Sequence, residues 1–127
     1  MMPGISIGKV LIQRDEESAD RKAVFYYSKL PEDIQSKARV FVLDPMLATG
    51  GSAEMCINKL ISSGVEHSKI TFVNLISCPI GLDRLLTQFP ELTIITAAVD
   101  PILNESKYIC PGIGDFGDRF FASKLPK

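Results

Sequence analysis

Two adjacent glycines, Gly50 and Gly51, stand between an acidic residue, Asp44, and a helix-like segment, with hydroxyls at Thr49 and Ser52 on either side. Glycines let the backbone turn so that successive N–H groups face one concavity. With a helix N-terminus following at once, the arrangement is an anion site whose usual occupant is phosphate. Thr49 and Ser52 add hydroxyl donors. Asp44, closing an apolar run, is an acceptor suited to sugar hydroxyls, as acidic residues hold ribose in other nucleotide sites. The stretch lacks the G-K-[ST] ending of a Walker A loop and contains no G-x-G-x-x-G. Glycines for a tight turn and Ser52 as N-cap would equally make a plain strand-to-helix connection. The loop chemistry by itself leaves both readings open.

The elements around this loop must position it. Val40-Phe41-Val42-Leu43 is a continuous apolar run ended by Asp44-Pro45, the pattern of a strand buried on both faces. Ser52 to Ser63 has helical spacing, with Ala53, Cys56, Ile57, Leu60 and Ile61 on one stripe and Gly64 as the C′ residue. Ile70 to Ile76 predicts a second strand. Pro79 to Phe89 predicts a short helix with Leu82, Leu85, Leu86 and Phe89 inward, and Thr93 to Val99 a third buried strand. Upstream, Ile7 to Gln13 and Ala23 to Ser28 are β-prone runs around a charged turn and read as a hairpin. Alternating strands and helices indicate an α/β chain with a parallel sheet and flanking helices. Right-handed crossovers align the strand ends along one edge, where ligands bind. The segments of interest are therefore 44–52, 77–81 and the chain from Asp100 onward.

Composition narrows the functional classes. With 127 residues the chain predicts one domain, spanning 1–127, with an ordinary core. A balance of 14 Lys+Arg against 15 Asp+Glu is poor material for a nucleic-acid or polybasic membrane binder. Cys56, Cys78 and Cys110 form no C-x-x-C pair and read as free thiols of a reducing compartment. There is no signal peptide pattern and no apolar run near the ~20 residues of a membrane span. A cytoplasmic protein is expected, with no metal-ligating cluster. His67, the single histidine, falls in a polar turn and is expected to be solvated.

The segment 44–52 resembles the phosphoribosyl-diphosphate (PRPP) signature of type I phosphoribosyltransferases, and its Asp44-Pro45 version is similar to the uracil-specific members. Leu11-Ile12-Gln13-Arg14-Asp15-Glu16, Lys29-Leu30-Pro31-Glu32-Asp33, Thr96-Ala97-Ala98-Val99-Asp100 and Tyr108-Ile109-Cys110-Pro111-Gly112-Ile113-Gly114-Asp115-Phe116-Gly117-Asp118-Arg119 agree in the same order. The resemblance implies transfer of ribose-5-phosphate from PRPP to N1 of uracil, giving UMP and diphosphate. It implies that Ala48, Thr49, Gly50, Gly51 and Ser52 cradle the 5′-phosphate and that Asp44 holds the ribose hydroxyls. Arg14 would approach the diphosphate. Tyr108, Ile109, Gly114 and Asp115 would bind uracil, with Asp115 beside base and ribose. Asp44, Arg14 and Asp115 are the catalytic candidates. On residue type alone, Arg14 is also a solvated hairpin charge, Tyr108 a core aromatic, and Asp118-Arg119 a structural ion pair.

The same resemblance implies Mg2+ bound with PRPP, GTP as an allosteric activator of some members, and a homo-oligomer or a hetero-oligomer with a full-length relative. It also implies a substantial region ahead of Arg14, including a core strand and a second diphosphate-gripping arginine. Only thirteen residues precede Arg14. The expected fold is therefore N-terminally shortened, with one sheet edge unpaired. Two alternatives accompany the enzyme: a non-catalytic PRPP- or UMP-binding remnant or regulatory subunit, and the C-terminal part of a uridine-kinase-like protein.

Overall fold

Every apolar run picked out above becomes a regular element in the structure, a computed structural model that describes residues 4–14 and 23–123. β1 (Lys9–Arg14) and β2 (Ala23–Lys29) pair antiparallel with a bulge between Leu11 and Ile12. The turn joining them and the side chain of Arg14 lie outside the described residues. The hairpin packs over the first long helix, α1 (Gly51–Ser62), where Lys59 Nζ sits 5.8 Å from the centroid of the Phe25 ring. Such a contact is worth about 0.5–1 kcal/mol at an exposed site.

The central sheet is parallel. β5 (Ile70–Ser77) lies in its middle, flanked by β6 (Thr93–Val99) on one side. On the other side lie β3 (Val40–Leu43) and, after an interruption at Asp44-Pro45, the two-residue β4 (Met46–Leu47). At that interruption the Pro45 carbonyl accepts from both Leu75 and Ile76 N–H groups, which carries the ladder across the missing donor. α2 (Pro79–Gln88) follows β5, and α3 (Phe116–Phe121) closes the described chain. β7 (Ile102–Leu103) and β8 (Ile109–Cys110) form a small antiparallel pair beyond β6.

α1 ends as Gly64 predicted. Gly64 N–H donates to Ile61 and Val65 N–H to Leu60, the reciprocal pair of a Schellman motif, with Val65 buried against the helix. Its start differs from expectation. Gly50, in the left-handed region at φ 83°, is the N-cap, no side chain caps the helix, and Ser52 lies inside the first turn. The left-handed glycine closes the turn before Ser52 is reached, and having no side chain it offers the first N–H groups of α1 no cap of its own.

The core lies on one face of the sheet, where Ile70 and Phe72 of β5 meet Ala53, Ile57 and Leu60 of α1 and Leu85 of α2, all buried. A smaller cluster joins Ala48, Ile76, Cys78 and Ile109. The opposite face corrects the expectation of strands buried on both sides. Phe41, Leu43, Leu75, Ile95 and Val99 are all exposed, Leu43 at 76%. Period-two geometry puts alternate residues on opposite faces, and both long helices pack on the same one. Leu86 is exposed as well, because α2 buries its Gly81–Leu85 side and turns Leu86 outward. β3 and β6 each have their only described long-strand neighbour in β5, so each has an open edge among the described residues.

Candidate functional site

A cleft of about 550 Å3 opens at the C-terminal edge of the sheet. It is lined by Ala48, Gly50, Gly51 and Ser52, by Tyr108, Ile109, Gly114 and Asp115, and by Asp44. Three stretches separated by up to about sixty residues thus share one space: Asp44 follows β3, the 48–52 loop follows β4, and the 108–115 loop carries β8 beyond β6. Ile12 and Gln13 of β1 complete the wall, which brings the backbone preceding Arg14 to the cleft; its side chain lies outside the described residues. Thr49 alone among the expected phosphate-loop residues does not line the cleft.

The 48–52 side is held from behind by α2. Gly81 is buried in that helix, and a Cβ there would stand 2.5 Å from the Ala48 carbonyl oxygen. Only glycine allows this approach, which seats α2 directly against the loop. Arg84, one turn on, pairs with Glu54 in the first turn of α1 and reaches the Thr49 carbonyl at 3.5 Å. Glu54 is also well placed against the positive end of the α1 dipole. None of this bracing was legible in advance, since Gly81 and Arg84 carry no local motif.

Cys56 lies on α1 one turn beyond Ser52. Burial, and secondarily the charge of Asp44, push its thiol up to about 11 from an ordinary 9.0. Below pH 9 the thiol is protonated in both folded and unfolded chains. Between 9 and 11 the unfolded chain releases a proton that the folded chain retains. Stability is therefore full below pH 9 and is lost as pH rises through 11, by on the order of 2 kcal/mol. Urea midpoints at pH 8 and pH 11 for the parent and Cys56→Ala check this: the variant should show the smaller alkaline drop, and identical drops would refute it.

The far side of the cleft is a loop pinned at several points. Ile109 is buried against Ala48, Ile76 and Cys78, so the two sides of the cleft share one apolar cluster. Asn104 N–H donates to the Tyr108 carbonyl, and the Asn104 side chain accepts from Tyr108 N–H at 2.9 Å, which squares the turn between β7 and β8. Asp115 is the N-cap of α3, its Oδ1 accepting from Asp118 N–H at 2.8 Å. Arg119 donates from Nη1 to the Ile113 carbonyl at 2.7 Å, so it braces the loop. Tyr108 is a cleft wall and 38% exposed, unlike a core aromatic.

Lys107, in the left-handed region at φ 64°, is the cation among the described lining residues, and Met46 adds an apolar patch. Both were missed, as a single Lys in a polar loop and a Met after Pro carry no signal. His67 is half-buried, packing edge-on to Phe89 with ring centroids 5.6 Å apart, which corrects the solvated turn. Cys78 is fully buried and all three cysteines are free thiols. Among the described residues no group of three or more His, Cys, Asp or Glu could hold a metal, and no helix is long and apolar enough to cross a membrane.

Comparison with known proteins matches residues 1–123 to the uracil phosphoribosyltransferase family. The chain is 54% identical over 117 residues to the uracil phosphoribosyltransferase of Saccharomyces cerevisiae, covering 92% of this chain and 53% of that protein. It is 47% identical over 124 residues to the enzyme of that name from Streptococcus sanguinis, covering 98% and 57%. A uridine/cytidine kinase from Arabidopsis thaliana is 47% identical over 120 residues, 94% of this chain and 24% of the kinase. A solved protein from Aquifex aeolicus superposes with a TM-score of 0.78 at 36% identity, covering 94% of this chain and 54% of its own. The chain spans about half the length of the phosphoribosyltransferases it matches.

Proposed function

This chain belongs to the uracil phosphoribosyltransferase family, and we propose on that premise that it binds PRPP and uracil and forms UMP in pyrimidine salvage. The observation that carries the reading is the single cleft shared by Asp44, the 48–52 loop and the 108–115 loop. In this proposal the first N–H groups of α1 take the 5′-phosphate, with the Ser52 hydroxyl beside them. Asp44 accepts from the ribose hydroxyls. Backbone groups of Ile109 and Gly114 read the flat, uncharged base, with Asp115 orienting base and ribose. Arg14, next to Gln13 of the cleft wall, approaches the leaving diphosphate.

Displacement at the anomeric carbon builds positive charge there and negative charge on the leaving group, so positioning and electrostatics supply the catalysis. Asp44 and Asp115 alone make no protein cage for a metal. They suit Mg2+ held mostly by substrate oxygens, which when bound neutralises the diphosphate.

The test is UMP formation by the 127-residue chain from uracil, PRPP and Mg2+. Turnover supports the enzyme. No turnover with measurable PRPP or UMP binding would leave a binding protein and overturn the enzyme. Asp44→Asn should weaken PRPP binding by about 10- to 100-fold, the worth of a charge-assisted hydrogen-bond pair. Unchanged affinity by calorimetry would remove Asp44 from the ribose site.

A further inference from the structure

Asp100 directly follows β6 and is not among the residues lining the cleft, yet it holds the cleft's far loop. Its N–H donates to the Ser77 carbonyl at 2.9 Å, which fixes its backbone to the end of the central strand. Its Oδ2 accepts from Gly112 N–H at 2.7 Å. Gly112 lies between Ile109 and Gly114, two residues that line the cleft. From Pro111 to Asp115 the loop belongs to no strand, since β8 ends at Cys110. Three side-chain hydrogen bonds brace that stretch: Asp100 to Gly112, Arg119 to Ile113 and Asp115 to Asp118 N–H. Arg119 and Asp115 belong to α3 and its cap, so their bonds move with the loop. Of the three, the Asp100 bond joins the loop to the sheet, and the sheet also carries Asp44 and the 48–52 loop.

We propose that Asp100 is a positioning residue that sets the base end of the cleft in register with its phosphate end, acting through Gly112. This rests on the reading of the cleft as a PRPP and uracil site. A carboxylate accepting from a backbone N–H makes a charge-assisted bond, about twice as strong as a neutral one. Asparagine keeps the acceptor and the size, whereas alanine removes both. The prediction is therefore selective. Removing the tether loosens the loop at Gly112, with Ile109 and Ile113 keeping their apolar contacts, and leaves the 48–52 loop, braced separately by Gly81 and Arg84, as it was.

The experiment compares UMP, which needs both ends of the cleft, with inorganic phosphate, which needs the 48–52 loop alone, by calorimetry on the whole chain. Asp100→Ala should weaken UMP about tenfold or more and inorganic phosphate less than about twofold, with Asp100→Asn recovering most of the UMP affinity. Equal losses for both ligands, no loss for UMP, or no recovery in Asp100→Asn would overturn the proposal. Amide hydrogen exchange on the unliganded chain is the second arm. Gly112 N–H should exchange faster in Asp100→Ala, with α1 unchanged; unchanged Gly112 exchange would overturn the tether directly. If the parent chain binds neither ligand, the reading of the cleft falls, and the exchange arm still decides whether Asp100 holds the loop.

Discussion

Phe72→Ala should lower the unfolding free energy of this chain by about 3–5 kcal/mol, the usual cost of emptying an aromatic site in a packed core. Phe72 is fully buried at the centre of β5. Its sheet neighbours in register are Val42 of β3 and Ile94 of β6, and it belongs to the cluster formed with α1 and α2. No neighbour can collapse into the space, because β5 is held on both edges and the helices are already seated on it. A domain of this size has roughly 5–15 kcal/mol to lose, so one truncation removes a large share of the margin. Leu75 in the same strand is the internal control. It is 51% exposed on the opposite face, and Leu75→Ala should cost under about 1 kcal/mol. Urea titrations followed by circular dichroism check both. Equal losses at the two positions would mean that the two faces are packed alike, against the structure.

Gly112→Ala should reduce UMP affinity by about a hundredfold or more, with a fall in thermal midpoint alongside. Gly112 has φ +60°, a conformation that costs an L-residue about 1–2 kcal/mol. The larger effect is steric: an added Cβ would overlap the Ile109 carbonyl oxygen, which is backbone and has nowhere to go. The turn must open, displacing Ile109 from its buried seat against Ala48 and carrying Gly114 and Asp115 with it. Gly114 supplies the contrast. It also has positive φ, at +73°, but a Cβ there meets nothing within 4 Å. Gly114→Ala should therefore show backbone strain without the steric opening of the turn. Calorimetric titration with UMP, beside thermal unfolding of each variant, reads both effects. Parent-like affinity in Gly112→Ala would refute the tight turn.

Much of the site was legible locally because its chemistry is local. The proposed phosphate loop needs an acidic strand end, two glycines and a helix start in immediate succession, and Asp44 through Ser52 carry all three within nine residues. The strands at Val40–Leu43 and Thr93–Val99 were bounded correctly for a similar reason, since Asp44-Pro45 and Asp100-Pro101 stop them in place. The far loop was assigned by resemblance, since a Gly- and Pro-rich segment such as 108–115 has no periodicity to read. β4, β7 and β8, at two residues each, are too short to leave a pattern; they exist because neighbouring backbone supplies their partners.

The amino-acid sequence by itself determined the order of the longer strands and helices, the glycine turn at Gly50-Gly51 that opens α1, and the family. Periodicity, punctuation and motif spacing are properties of consecutive residues. Tertiary structure alone decided which face of the sheet is covered, how Gly81 and Arg84 brace the 48–52 loop, and how Asp100 reaches Gly112. An apolar strand reads the same whether helices cover one face or two, so Leu43 and Phe72 look alike until α1 and α2 are placed. Contacts such as Gly81 with Ala48, or Ile109 with Ala48, join residues tens of positions apart. Their energies come from close packing and hydrogen bonds that exist only once the chain has folded.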